Sequence, residues 1–199
     1  MTIHLIRHGH TEANAQRRYC GRTNLPLSPE GVEQLRVLKT QGIYPRASAF
    51  YTSGMLRAQQ TLTFLYDNVK ATSIAELAEY DFGSFEMRRY EELQHNPDYA
   101  VWIADESGEV ACPCGESKRQ YDRRVMRGFS YLLSDMEEKR HSSSTAVVHG
   151  GTVVHIMSRL FPDEKDFYAW QPLPGLGYTL FRNREGLFTY QPIKGEDTP

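Results

Sequence analysis

Two histidines stand where apolar runs stop, one near each end of the chain. Arg7-His8-Gly9 follows Ile3 to Ile6, and His149-Gly150-Gly151 follows the β-branched run Thr145 to Val148. In an open α/β sheet the ligand crevice lies just beyond the carboxyl ends of the strands, so a histidine at such an end is placed for chemistry. The glycine beside each one lets the backbone approach a ligand closely. Arg7 adds a fixed cation whose planar fork of donors matches phosphate oxygens. A second arginine, Arg57 in Ser53-Gly54-Met55-Leu56-Arg57-Ala58, follows another apolar run and stands at a helix start, where unpaired backbone N–H groups also favour anions. The four side chains converge on a phosphate pocket of two arginines and two histidines.

The elements that must position them alternate. The first run reads as a buried strand, and Thr11 as the cap of a short helix through Glu12, Ala13 and Asn14. Ser28-Pro29-Glu30 predicts a helix start, with Val32, Leu35 and Leu38 as its apolar stripe and Gly42 as its end. A strand over 47–51 leads into a helix carrying Leu56, Leu62, Phe64 and Leu65, and a short apolar segment over 73–77 precedes Glu79. From Glu116 to Glu138, Tyr121, Val125, Phe129, Leu132, Leu133 and Met136 recur at helical spacing, which marks one face of a long amphipathic helix. Thr145 to Val148 is another strand, Val153 to Leu160 an apolar helix, and Tyr178 to Phe181 and Leu187 to Tyr190 two more strands before a loose polar end, Gly195 to Pro199. This alternation predicts a three-layer α/β/α sandwich around a largely parallel sheet. Between Phe82 and Cys114 the pattern turns irregular, rich in aromatics and charge, with Pro97, Gly108 and Pro113 as breakers. The expectation is one domain over 1–199 with residues 82–115 inserted as a small cap.

Composition narrows the partners. The 199 residues carry 23 Lys plus Arg against 25 Asp plus Glu, a formal charge of −2, with 40% hydrophobic and 24% charged residues. These are globular values, with no support for a disordered, collagenous or coiled-coil chain. The balance argues against a nucleic acid or an anionic membrane held through bulk charge, yet leaves room for arginines clustered in one pocket. No stretch approaches a membrane span, and the first residues lack the basic and long apolar regions of a secretion signal. Cys20, Cys112 and Cys114 are an odd, sparse set, as expected of reduced thiols in a cytoplasmic protein. Monomer and homodimer both stay open.

Leu5-Ile6-Arg7-His8-Gly9 with Thr11-Glu12-Ala13-Asn14, then Ser53 to Ala58, Leu77-Ala78-Glu79-Tyr80-Asp81-Phe82-Gly83 and His149-Gly150-Gly151 resemble, in order, the motifs of the histidine phosphatase superfamily, which includes the phosphoglycerate mutases. Any one motif is common; four in sequence over residues 1–160 are specific. The resemblance implies that His8 is the nucleophile, taking the phosphoryl group on a ring nitrogen. It also implies that Arg7, Asn14, Arg57 and Gly150 bind the phosphate with His149, and that Glu79 protonates the leaving alkoxide. Adjacent guanidinium charges would keep the attacking imidazole neutral. They would also supply the charge that a magnesium ion otherwise brings, so neither a metal nor a cofactor is implied. Glu86-Met87-Arg88-Arg89, Tyr99, Trp102, Asp105, Gly115-Glu116-Ser117, Arg123-Arg124-Val125 and the loop Tyr19 to Ser28 are similar to the α-ribazole 5′-phosphate phosphatase branch. That similarity makes a small phosphate ester the partner and Arg88, Arg89 and Trp102 candidate substrate contacts.

Competing readings are a broad-specificity sugar-phosphate phosphatase, a mutase-like enzyme, for which a longer insert after the acid motif is usual, and a non-catalytic phosphate-binding protein. The chain departs from the family pattern at His10, where Glu is frequent, at Met87, where Gly is usual, and at Cys112-Pro113-Cys114-Gly115, which replaces Pro-Pro-Gly-Gly. Asp81 competes with Glu79 as the acid, although the spacing to Phe82-Gly83 favours Glu79. Asn14 could serve its helix alone, and Arg88, Arg89, Arg123 and Arg124 could be solvated faces. Cys112 and Cys114, without partner ligands, make a thin zinc site. His4, His95, His141 and His155 carry no motif and default to core or surface positions.

Overall fold

The structure, a computed structural model, describes residues 1–67 and 69–195, so residues 196–199 of the expected loose end lie outside the described residues. In chain order the elements are β1 (Thr2–Arg7), α1 (Glu12–Ala15), α2 (Pro29–Thr40), β2 (Ala49–Thr52), α3 (Leu56–Leu65), β3 (Thr72–Ser73), α4 (Tyr90–Leu93), α5 (Pro97–Ala104), α6 (Lys118–Glu138), β4 (Ser143–Val148), α7 (Gly150–Leu160), β5 (Gly177–Arg182) and β6 (Phe188–Ile193). The six strands form one sheet in the order β3-β2-β4-β1-β5-β6. β1 to β4 run parallel, and β5 pairs antiparallel with both β1 and β6. Pro192 sits in β6, an edge strand, where a missing ladder donor is tolerated.

Strand side chains alternate between two packed layers. Ile3 and Leu5 of β1, with Ala146 and Val148 of β4, join a core shared with α6 and α7, whereas Ile6 and Val147 face a second cluster with Leu35 of α2 and Ala58, Leu62 and Leu65 of α3. Helices on both faces of a largely parallel sheet make the expected three-layer sandwich. Helix α6 buries Tyr121, Val125, Phe129, Leu132 and Met136. Each such side chain contributes roughly 1.5–3 kcal/mol of transfer free energy. Ser117 and Gln120 close a reciprocal capping box at its N-terminus, so the helix begins after Ser117 rather than at Glu116. The Ser28 hydroxyl accepts from Gly31 N–H at 3.0 Å and starts α2 as its sequence predicts.

One boundary differs with a consequence for the site. Helix α7 starts at Gly150, not at Val153, with His149 as its N-cap. The two glycines are its first turn rather than a loop ahead of it. Their missing side chains let that turn come close: a Cβ on Gly150 would lie 3.2 Å from Arg7 Nε, and one on Gly151 would lie 2.5 Å from Glu79 Oε1. Residues 83–117 pass through two short helices, α4 and α5, and return beside α6. Phe85, Leu93, Tyr99, Trp102 and Cys112 of this stretch are buried in the same cluster as Tyr121 and Val125.

Candidate active site

Parallel pairing brings the two histidines together. Arg7 of β1 lies in register with Val148 of β4, so His8 and His149 leave adjacent strands at the same level. His8 N–H donates to Val148 C=O at 2.9 Å, and the two imidazole centroids are 5.1 Å apart. On the other side of β4, Thr52 of β2 pairs with Val147, which carries Ser53 to His149: Ser53 Oγ is 2.7 Å from His149 Nε2. Ser53 Oγ also accepts the Met55 N–H and still carries a proton that can go to Nε2, the arrangement that leaves the His149 hydrogen on Nδ1. That Nδ1 and Arg7 Nε are buried with no protein partner. Buried donors in this condition fit a site whose acceptors belong to a ligand.

The tautomer of His8 follows from one contact. Its Nδ1 lies 2.7 Å from Gly9 C=O, an acceptor only, so Nδ1 carries the hydrogen and Nε2 keeps its lone pair. Arg57 Nε–H donates to that Nε2 at 3.2 Å. Burial first, then the Arg57 and Arg7 charges, hold His8 well below the ordinary histidine range, and burial with the Arg57 charge does the same to His149. His8 is therefore a neutral imidazole at physiological pH, aimed through Nε2 at a cationic corner. Arg57 and Arg7 are themselves pushed down by desolvation, which Glu79 opposes in both.

Arg57 is held by a loop that sequence reasoning did not connect to it. Its terminal nitrogens donate to Thr23 C=O at 2.9 Å and Gly21 C=O at 2.8 Å. The carboxylate of Glu86 in turn accepts from the backbone N–H groups of Gly21, Arg22, Thr23 and Phe82 and from the Thr23 hydroxyl. Gly21 is required at the crossing, because a Cβ there would lie 1.6 Å from Tyr80 C=O. Glu86 thus sets the loop, the loop aims Arg57, and Arg57 faces the His8 lone pair.

Glu79 reaches the same place from β3. Its Oε2 accepts Gly151 N–H at 3.0 Å, and its Oε1 accepts Tyr80 N–H at 2.9 Å and the Tyr121 hydroxyl at 2.5 Å. Arg124 clamps the segment by donating to the carbonyls of Glu76, Ala78 and Glu79 while pairing with Glu116. Its role is neither a solvated face nor a ligand. Asp81, the competing acid, accepts from Gly83 N–H and does not line the cavity that Glu79 borders.

A cavity of ≈ 470 Å³ opens from Arg7, Asn14, Glu79 and Gly151. His8, His149 and Arg57 are buried and do not form its wall. Asn14 serves its helix, its Oδ1 accepting from the Thr11 N–H and hydroxyl, and the residue also lines the cavity. Trp102 lines the wall, but Arg88 and Arg89 do not; both are exposed, and the cations on the wall beside Arg7 are Arg18 and Lys118. The correction has a backbone cause, since Met87, at φ 60°, turns the chain before Arg88. Tyr19, Tyr80, Phe82 and Trp102 supply an aromatic wall and Phe167 and Tyr168 further aromatic surface. His155, read as a motif-less histidine, also lines the cavity, with Nδ1 3.3 Å from Asp122.

The match to known proteins is extensive. The model of the histidine phosphatase superfamily (branch 1) covers residues 3–191. This chain belongs to that superfamily. The adenosylcobalamin/α-ribazole phosphatase of Salmonella typhimurium is 31% identical over 166 residues, 80% of this chain and 79% of the relative. The α-ribazole phosphatase of Shigella flexneri superposes with a TM-score of 0.84 at 26% identity, covering 98% of this chain and 96% of that one. A phosphoglycerate mutase of Thermus thermophilus gives a TM-score of 0.72 at 26% identity, covering 98% and 100%. The chain is a phosphatase of the superfamily, and its substrate a small phosphate ester. Among the described residues no group of three or more His, Cys, Asp or Glu side chains is arranged to hold a metal, and no helix is long and apolar enough to cross a membrane.

Proposed function

We propose that the protein hydrolyses α-ribazole 5′-phosphate through a phosphohistidine on His8, without a metal ion. The observation that carries the reading is the His8 lone pair, held on Nε2 by the Gly9 carbonyl and flanked by Arg57, next to an aromatic-walled cavity. In the first half-reaction Nε2 attacks phosphorus, the P–O ester bond breaks and Glu79 gives its proton to the departing alkoxide. In the second, water attacks the phosphohistidine, Glu79 takes the water proton and His8 leaves as neutral imidazole. Arg7, Arg57, the His149 Nδ1–H and the amide of Asn14 face the phosphoryl oxygens, where negative charge must be met in the transition state. Gly150 admits that anion to the N-terminus of α7, whose backbone N–H groups add to the field.

The cavity supports the substrate. Its volume falls in the range of sites for small organic ligands, and aromatic faces stack on a planar apolar base such as the benzimidazole of α-ribazole. A phosphoglycerate would leave that wall unused. Arg18 and Lys118 on the cavity wall favour a second reading, a sugar-phosphate phosphatase or mutase-like enzyme that accepts a second anionic group. We place residues 82–115 as the cap over this cavity within a single domain, and the enzyme in the cytoplasm, where three free thiols stay reduced. The test is a panel of α-ribazole 5′-phosphate, fructose 2,6-bisphosphate, 2- and 3-phosphoglycerate and nucleoside monophosphates. The highest kcat/KM is expected for α-ribazole 5′-phosphate; a preference for a bisphosphate or phosphoglycerate would transfer the assignment to the second reading.

A further inference from the structure

Tyr121 is the largest polar side chain at the site that the mechanism above leaves unused. It is fully buried on α6, yet its hydroxyl escapes the apolar layer beneath and reaches Glu79 Oε1 at 2.5 Å. Burial, with the Glu79 charge next, raises its pKa well above the phenol range, so it stays a neutral O–H. Its second neighbour is Thr152 Oγ1 at 3.1 Å, and Thr152 is itself within 3.2 Å of Leu77 C=O. The Thr152 hydroxyl gives its one proton to Leu77 C=O and so offers the phenol only a lone pair, and the phenol proton goes to Glu79 Oε1, the shorter of its two contacts.

The two oxygens of Glu79 are consequently unequal. Oε1 receives two donors, Tyr80 N–H and Tyr121 O–H, which fill both of its in-plane lone-pair sites. Oε2 receives one, Gly151 N–H, and keeps one site open. Resting on the assignment of Glu79 as proton donor, we propose that Tyr121 is a positioning residue that confines the transferable proton of Glu79 to Oε2. A carboxyl group held by one edge alone could carry its proton on either oxygen and would turn the wrong one to the leaving group for part of the time. With Oε1 saturated, Oε2–H gives up its proton as the ester bond breaks. The carboxylate left behind keeps all three donors, and Oε2 takes the proton of the attacking water in the second step. The phenol and Thr152 exchange no proton with substrate.

The readout is the dependence of kcat/KM on the leaving group, because kcat/KM ends at release of the alcohol and does not include hydrolysis of the phosphohistidine. A series from p-nitrophenyl phosphate through phenyl phosphate to methyl phosphate spans good to poor leaving groups. Glu79→Gln should steepen the dependence on leaving-group pKa; an unchanged slope there would overturn the proton-donor reading of Glu79 itself. Given that steepening, Tyr121→Phe should reproduce it in part, with kcat/KM for methyl phosphate falling about 10- to 100-fold and that for p-nitrophenyl phosphate changing by no more than about threefold. A parallel loss on every ester in Tyr121→Phe, with a normal melting temperature, would mean that the phenol only packs and would overturn the proposal.

Discussion

The phosphate corner and the aromatic wall of the same site are built on opposite principles. The corner is made of side chains tied to backbone, with His8 and Arg57 buried and Glu79 half-buried: His8 to Gly9, Arg57 to Gly21 and Thr23, Glu79 to Tyr80 and Gly151. Such groups need no reorganisation when charge develops, which is where an enzyme gains most. The wall is made of rings that mostly touch one another, as Tyr19 does with Phe82, Tyr99 and Trp102, and at its far side Tyr168 is 78% exposed. Ring contacts are worth about 0.5–1.5 kcal/mol each beyond burial. On the function proposed above, chemistry belongs to the part tied to backbone and choice of substrate to the ring wall.

Replacing His8 with Ala should remove the largest quantity, abolishing turnover by roughly 10⁴- to 10⁶-fold, as for other covalent nucleophiles, together with the acid-labile phosphoenzyme in a rapid-quench trap. Persistence of that phosphoenzyme would move the nucleophile elsewhere. Glu86→Ala should release the 21–23 loop and so Arg57, lowering kcat/KM about 10- to 100-fold on all esters alike and reducing the melting temperature, because the five donors its carboxylate receives are stranded. A loss confined to poor leaving groups would instead assign Glu86 to proton transfer and blur the distinction between support and chemistry.

On the wall, Tyr168→Ala should raise KM for α-ribazole 5′-phosphate about three- to tenfold while leaving p-nitrophenyl phosphate nearly unchanged, since one exposed stacking face is worth about 1 kcal/mol. An equal effect on kcat for both would draw the wall into the chemistry. The corner also has a signature in stability. His4, His8 and His149 all have folded-state pKa values pushed down by burial, so they are held neutral in the fold and protonate more easily in the unfolded chain. Stability should be complete above the ordinary histidine value of 6.5 and fall with pH below it, the His4 share being lost between 6.5 and about 4. Thermal melts across that range check it, and a flat profile would contradict the buried neutral assignment. The smallest effect belongs to Met87, whose φ of 60° suits glycine: Met87→Gly should change stability by less than about 1 kcal/mol and leave kcat/KM intact.

The legibility of the two regions differs in the same way. Arg7, His8, Arg57 and His149 stand at the ends of strands or the start of a helix, and Gly9, Gly150 and Gly151 stand beside the histidines, so local pattern points at the corner. Tyr121 is visible only as one member of the α6 apolar stripe, since nothing in its spacing separates a ring that packs from a hydroxyl that reaches a carboxylate. Glu86 and Arg124 look like charges in irregular or amphipathic surroundings until their backbone partners are known. Arg88 and Arg89 show the converse error, two cations adjacent in sequence to site residues and turned away by the backbone at Met87.

By itself the sequence determined the layer architecture, through short apolar runs and stripes of helical period that can be buried in only a few ways, and the candidates for the phosphate-facing groups, through residues whose chemistry and position coincide. Tertiary structure alone decided which strand lies next to which, and with it the 5.1 Å approach of His8 and His149 from opposite ends of the chain. It also decided the tautomer of His8, the loop that aims Arg57 and the inequality of the two Glu79 oxygens. These depend on hydrogen bonds between residues far apart in sequence, whose partners are chosen by register and backbone direction rather than by the residues themselves.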